Sequence, residues 1–207
     1  LSLIVDFHYS DFWADPAKQM SPKAWVTMDL TQKCSALYAF TADALTQIAA
    51  TGVDIWMVQV GNEINGGMAG EWSTNGRNQL MNAGSAAVRA TLPDALVAVH
   101  FTNVSQSDAK KYIREVCEGD TPVDFDVMAY SYYSYWHGSL ENLSELMADV
   151  RENFGKDVFI AETAYPFTTN NLDTHPNSVP NEWCDMKQDI SRDGQAADFR
   201  ETVETAV

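Results

Sequence analysis

Five short apolar runs, each followed by a longer stretch with helical spacing, constrain this chain more than any other feature. The runs lie at 3–7 (LIVDF), 55–60 (IWMVQV), 96–101 (LVAVHF), 125–130 (FDVMAY) and 158–161 (VFIA). Helical spacing fills 38–51 up to Gly52, 78–91 up to Pro93, 107–118 up to Gly119, 140–154 up to Gly155, and the chain from 195 onward. Glycine just past a helix and proline beyond it are ordinary stop signals. Strands that are apolar on both faces and alternate with helices form parallel sheets, because the crossover helices cover the sheet. A long irregular passage rich in Trp, Asp and Pro separates the first strand from the first helix. No linker-like tract divides the chain, so residues 1–207 read as one domain. The period alone leaves two architectures open. A five-stranded open sheet would be complete at this length, whereas an eight-stranded βα barrel of typically ~250 residues would lack about three units. The sequence opens in mid-strand and stops in helical rhythm, which suggests a piece of something longer.

Composition narrows the partners. With 45% hydrophobic and 20% charged residues, the chain can bury a substantial core and is no disordered tail. It contains 13 Lys and Arg against 29 Asp and Glu, a net charge of −16. A field of that sign repels phosphate backbones and anionic headgroups, so neither nucleic acid nor a membrane surface is an expected partner. No run approaches the roughly 18–20 apolar residues that span a bilayer. Cys34, Cys117 and Cys184 are far apart and show no metal-binding spacing.

The residues that follow each run carry the chemistry. Asp6, His8, Asp11 and Trp13 follow the first, Asn62 and Glu63 the second, and His100 ends the third. Tyr132, Tyr133, Trp136 and His137 follow the fourth, and Glu162 the fifth. Polar and aromatic side chains at the C-terminal end of every strand are what a βα barrel needs, since its sites are built at that end. Glu63 and Glu162 each directly follow an apolar strand and should emerge on the same face. Paired carboxylates there suit glycosidic-bond cleavage, one protonating the leaving oxygen and the other attacking the anomeric carbon or activating water. Trp13, Tyr132 and Trp136 are expected to stack on sugar rings, with Trp72 and Tyr133 nearby, while Trp56, inside its strand, is expected in the core. Asn62 is placed to hold a sugar 2-hydroxyl. Asp6 and His8 with His100 and His137 could suggest a metal hydrolase, but no His-x-His or His-Glu-x-x-His motif accompanies them.

The chain resembles the arabinogalactan endo-β-1,4-galactanases of glycoside hydrolase family 53, in the clan of retaining barrel glycosidases. The resemblance rests on 5–16 (VDFHYSDFWADP), with Gln19 and 22–25 (PKAW) behind it, on 58–67 (VQVGNEINGG), on 131–138 (SYYSYWHG) and on 161–166 (AETAYP). It implies a (β/α)8 TIM barrel of which this chain covers strands three to seven, with strands one, two and eight missing. It assigns Glu63 as the acid/base and Glu162 as the nucleophile of a double displacement. Substrate contacts would come from Asp6, His8, Asp11, Trp13, Asn62, His100, Tyr132 and Trp136. The substrate would be β-1,4-galactan of the arabinogalactan type, cut inside the chain by a secreted, monomeric enzyme that requires no cofactor for the chemistry. The polar loop 168–181 resembles a calcium-binding loop of bacterial members, with Asp173, His175 (through its carbonyl) and Asn177 as ligands of a structural calcium ion. The rival readings are another retaining endoglycanase of the clan, a cellulase or mannanase, and a non-catalytic carbohydrate-binding barrel.

Overall fold

The computed structural model describes residues 2–207. Five parallel strands, β1 (Ser2–Phe7), β2 (Asp54–Val60), β3 (Leu96–Phe101), β4 (Val127–Ser131) and β5 (Asp157–Glu162), pair strictly in sequence order. That order separates the two architectures. Doubly wound open sheets reverse strand order at a switch point, whereas a barrel adds each strand beside the last. The five strands form a partial (β/α)8 barrel, with β1 and β5 as its two edges.

The helices α1 (Leu30–Ala49), α2 (Thr74–Thr91), α3 (Gln106–Cys117), α4 (Leu140–Phe154) and α5 (Arg192–Ala206) complete the alternation. A large apolar layer lies between strands and helices, and includes Val58, Val60, Val99, Met128, Leu80, Ile113 and Leu146. The other sheet face carries a smaller cluster of Met57, Ala98, Val127 and Ala129, which is the inside of the barrel. No helix among the described residues is long and apolar enough to cross a membrane.

Two helices start earlier than their apolar period predicts. α1 begins at Leu30 because Asp29 and Gln32 form a reciprocal capping box. Its first turns are masked in the sequence by Lys33, a charged residue buried at a core-facing position where its ammonium meets Glu71 at 2.7 Å. α2 begins at Thr74 under a Ser73 cap, and its first turns bury Arg77 and Asn78. In both cases a paired polar side chain occupies a place the period reserves for an apolar one.

Two irregularities set which way side chains face. Leu3 pairs with Ile55 and Ile4 with Met57, so Trp56 is an extra residue in β2. Trp56 is 48% exposed, which corrects its expected place in the core. The pairing of β4 with β5 likewise jumps from Tyr130–Ile160 to Ser131–Glu162, leaving Ala161 as the extra residue. Such bulges reverse the alternation of the strand beyond them.

Candidate active site

In a strand, successive side chains point to opposite faces. From β4 this parity sends Ser131 and Tyr133 to the inside and Tyr130 and Tyr132 into the helix layer. Tyr132 is accordingly 1% exposed, part of the main core, with its hydroxyl donating to the Gly138 carbonyl. Its expected role as a sugar platform is therefore corrected. Tyr133 faces inward in its stead, and its hydroxyl donates to Glu162 Oε2 at 2.7 Å. On β5, Val158 and Ile160 pack on the helix layer, and unbroken alternation would send Glu162 after them. The extra residue Ala161 turns Glu162 inward instead.

Glu63 is delivered by a different device. It has φ 46°, a left-handed backbone conformation costly for a residue with a side chain. Tyr9 and Asn103, just beyond β1 and β3, share that conformation at φ 49° and 62°. Gly61 before Glu63 has φ 90°, and a Cβ there would stand 2.7 Å from Ile64 Cγ2. The loop is held from below by Arg77, whose Nη1 donates to the Asn65 carbonyl at 2.9 Å while Nη2 pairs with Glu115 at 3.0 Å. It is held from the side by Gln19, whose amide donates to the Asn62 carbonyl at 2.8 Å.

These devices bring Glu63, His100 and Glu162 together: a carboxylate oxygen of each glutamate and a ring nitrogen of His100 lie within 4.8 Å of one another. Both ring nitrogens of His100 are already engaged. Nδ1 is 2.9 Å from Asn62 Oδ1 and 3.1 Å from Gln59 Nε2, and Nε2 is 2.9 Å from Ser131 Oγ. Ser131 Oγ is in turn 2.7 Å from Glu63 Oε1. The trio is thus embedded in protein hydrogen bonds and offers a metal ion no free imidazole nitrogen. Burial raises the Glu63 pKa above the ordinary carboxylate value, and the charges of Glu162 and Asp15 raise it further against the hydroxyls of Ser131 and Thr102. Burial, with the nearby His8, lowers the His100 pKa to about 3, so the ring is neutral near neutral pH.

The other expected site residues are spread around this centre. Asp6 accepts from Gln59 at 2.7 Å and meets His8 Nε2 at 3.2 Å, while His8 Nδ1 accepts from the Ala14 amide. Asn62 is almost wholly buried, its amide donating to the Ala14 carbonyl. Asp11 is exposed and accepts from the Lys23 amide. Trp13 is exposed with the Lys18 ammonium 4.2 Å from its ring, and Trp136 is exposed and edge-on to Tyr133. Asp173, His175 and Asn177 lie in the exposed loop before α5. The Asp173 carboxylate accepts from the His175 amide there, and the Asn177 amide donates to the Thr169 carbonyl. Through the Asp173 carboxylate, the His175 carbonyl and the Asn177 side chain they supply four oxygen donors at most, against the 6–8 that calcium takes. Ser131 and Gln59 were missed by sequence reasoning. A glutamine in the middle of an apolar strand was the available signal for Gln59; for Ser131 it was the parity rule.

Comparison with known proteins identifies the family of the chain. The profile of glycosyl hydrolase family 53 matches residues 1–207. The chain is 45% identical over 204 residues to an endo-beta-1,4-galactanase of Bacillus subtilis (strain 168), covering 99% of this chain and 47% of that protein. It is 34% identical over 194 residues to an arabinogalactan endo-beta-1,4-galactanase of Cellvibrio japonicus, covering 86% of this chain and 50% of that protein. The GH53 catalytic domain of Ignisphaera aggregans superposes with a TM-score of 0.90 at 32% identity, over 99% of this chain and 58% of that one. The chain thus spans about half the length of the relatives it matches.

Proposed function

Because the chain belongs to glycosyl hydrolase family 53, we propose that it is the central part of the catalytic barrel, strands three to seven, of an endo-acting β-1,4-galactanase. The reading names Glu63 as general acid/base and Glu162 as nucleophile, with retention through a glycosyl-enzyme intermediate. The observation that carries it is the approach of the two carboxylates to within 4.8 Å. Retaining pairs stand about 5–5.5 Å apart, whereas inverting pairs leave about 6.5–9.5 Å for a water.

The chemistry follows from the two environments. Burial and the charge of Glu162 raise the pKa of Glu63, the direction a group needs to serve as the acid that protonates the leaving oxygen. Glu162 accepts from the Tyr133 hydroxyl, which orients one oxygen and leaves the other free to attack. Trp13 and Trp136, exposed at the strand ends, supply apolar faces for sugar rings. Galactan as substrate is supported by the names of the Bacillus and Cellvibrio relatives. Secretion follows from the substrate, since a polymer is met outside the cell. A structural calcium ion on the loop carrying Asp173, His175 and Asn177 belongs to the same reading, its remaining ligands coming from elsewhere.

The test is release of reducing ends by the full-length protein from pectic galactan, cellulose and mannan in parallel. Galactan should be cut preferentially, and Glu162→Ala should lose that activity. Preference for cellulose or mannan, or normal activity in Glu162→Ala, overturns the assignment.

A further inference from the structure

Ser131 has one hydroxyl proton and two partners that both compete for it. Glu63 Oε1 lies 2.7 Å from its oxygen and His100 Nε2 lies 2.9 Å away. Which one receives the proton depends on whether Nε2 is a donor or an acceptor, that is, on the tautomer of His100. The surroundings settle the tautomer. The Asn62 amide nitrogen donates to the Ala14 carbonyl at 2.9 Å, and a carbonyl only accepts, so the Asn62 side chain has one orientation. Its oxygen then faces His100 Nδ1 at 2.9 Å and requires a proton there. The Gln59 amide nitrogen also lies 3.1 Å from Nδ1, but its two protons have other acceptors in Asp6 Oδ1 at 2.7 Å and the Gly61 carbonyl at 3.3 Å, so the shorter Asn62 contact decides the proton on Nδ1. The Nδ1–H tautomer leaves Nε2 as a bare lone pair, and the Ser131 hydroxyl donates to it. To protonated Glu63 the Ser131 oxygen then presents a lone pair, and the hydrogen bond between them is filled by the proton carried on Glu63; only to ionised Glu63 does the Ser131 hydroxyl donate.

Resting on the acid/base reading of Glu63, we propose that Asn62, His100 and Ser131 form a buried relay that holds the proton on Glu63 until the leaving oxygen takes it. When Glu63 gives up its proton, Ser131 turns its hydroxyl toward the new carboxylate and gives up its bond to His100. No proton leaves the relay; only the hydroxyl rotates. The lone pair of His100 is the counterweight, and His100 is a positioning residue that never meets the sugar. The charges of Glu162 and Asp15 also act on Glu63, and that of His8 on His100, and none of these three residues is substituted in the variants below.

The opposite hydrogen-bond direction has the opposite consequence, which makes the proposal testable. With the relay as described, removing the acceptor in His100→Leu frees the Ser131 hydroxyl to stabilise ionised Glu63. The alkaline limb of kcat/KM on galactan, which reports loss of the acid's proton, should move to lower pH by about one unit, the equivalent of one hydrogen bond. In a Ser131→Ala background the same substitution should move it no further. An alkaline limb that stays in place or moves to higher pH in His100→Leu overturns the relay, because His100 would then be donating through Ser131 to Glu63. Nitrogen NMR of the unaltered protein gives a second readout: a protonated Nδ1 and bare Nε2 on His100 are expected, and the reverse overturns the relay. Failure of the acid/base reading has its own signature. Glu63→Gln should lose galactan cleavage yet still attack an aryl galactoside whose leaving group needs no acid; a Glu63→Gln protein that still cleaves galactan overturns that reading and the relay with it.

Discussion

Arg77 anchors the loop that carries Glu63, and Arg77→Met isolates its electrostatic role because methionine refills most of the volume. The guanidinium is 2% exposed. It satisfies the Asn65 carbonyl at 2.9 Å, pairs with Glu115 at 3.0 Å and lies 5.3 Å from the Phe101 ring. Leaving the Asn65 carbonyl buried without a partner costs about 1–3 kcal/mol. Glu115 is 22% exposed and keeps Lys111 at 3.8 Å. Solvent and that second partner reduce its share to about 1 kcal/mol. The sum is about 3 kcal/mol, at the lower edge of what breaking a buried ion pair costs. Urea unfolding of Arg77→Met and of the unaltered protein measures it. A double-mutant cycle with Glu115→Gln should return a coupling of about 1 kcal/mol, the rest belonging to the loop carbonyl. Because that loop carries Glu63, kcat should fall more than KM changes. A stability loss below about 0.5 kcal/mol would refute the idea that Arg77 holds the loop, since ordinary surface substitutions fall in that range.

Tyr133→Phe removes the donor to Glu162 Oε2 without changing packing; kcat should fall by about 10²-fold, the cost of losing one preorganised donor, and steady-state kinetics on galactan would show it. Stability should also depend on pH through buried His100 and part-buried His137. The folded-state pKa values are about 3 for His100 and about 4 for His137, both depressed chiefly by burial. An unfolded histidine binds its proton near pH 6.5. The unfolded state therefore takes up protons first as pH falls from about 6.5 toward 4, and the folded protein loses stability over that window. Urea midpoints across the window should decline for the unaltered protein and decline less for His137→Phe.

Much of the fold is legible in the chain because its signals are local. The strands fall within about two residues of their apolar runs, and α4 occupies 140–154 as its period predicts, stopped by Gly155 at φ 62°. Local rules fail where a distant partner pays for a polar residue in the core. Lys33 and Arg77 hid the starts of α1 and α2 because their ion partners, Glu71 and Glu115, lie 38 positions away in each case. Trp56 and Tyr132 depart from expectation for another reason: Trp56 is placed in the core by its position inside a strand and Tyr132 at the site by its position after one, whereas the face of each is decided by register.

The sequence by itself determined the βα rhythm, the apolar faces of the strands and the presence of two glutamates just at strand ends. These depend on periodicity, capping and composition, all of which act within a few residues. Only the tertiary structure decided that the sheet runs in order toward a barrel, and that Glu63, His100 and Glu162 meet within 4.8 Å. It also decided that Ala161 is the extra residue that turns Glu162 inward, and that the Asn62 side-chain oxygen lies 2.9 Å from His100 Nδ1. A one-residue change of register inverts every side chain beyond it, and a hydrogen bond across 38 positions leaves no periodic trace. Pairing between strands sets both, so both exist only once the strands are side by side.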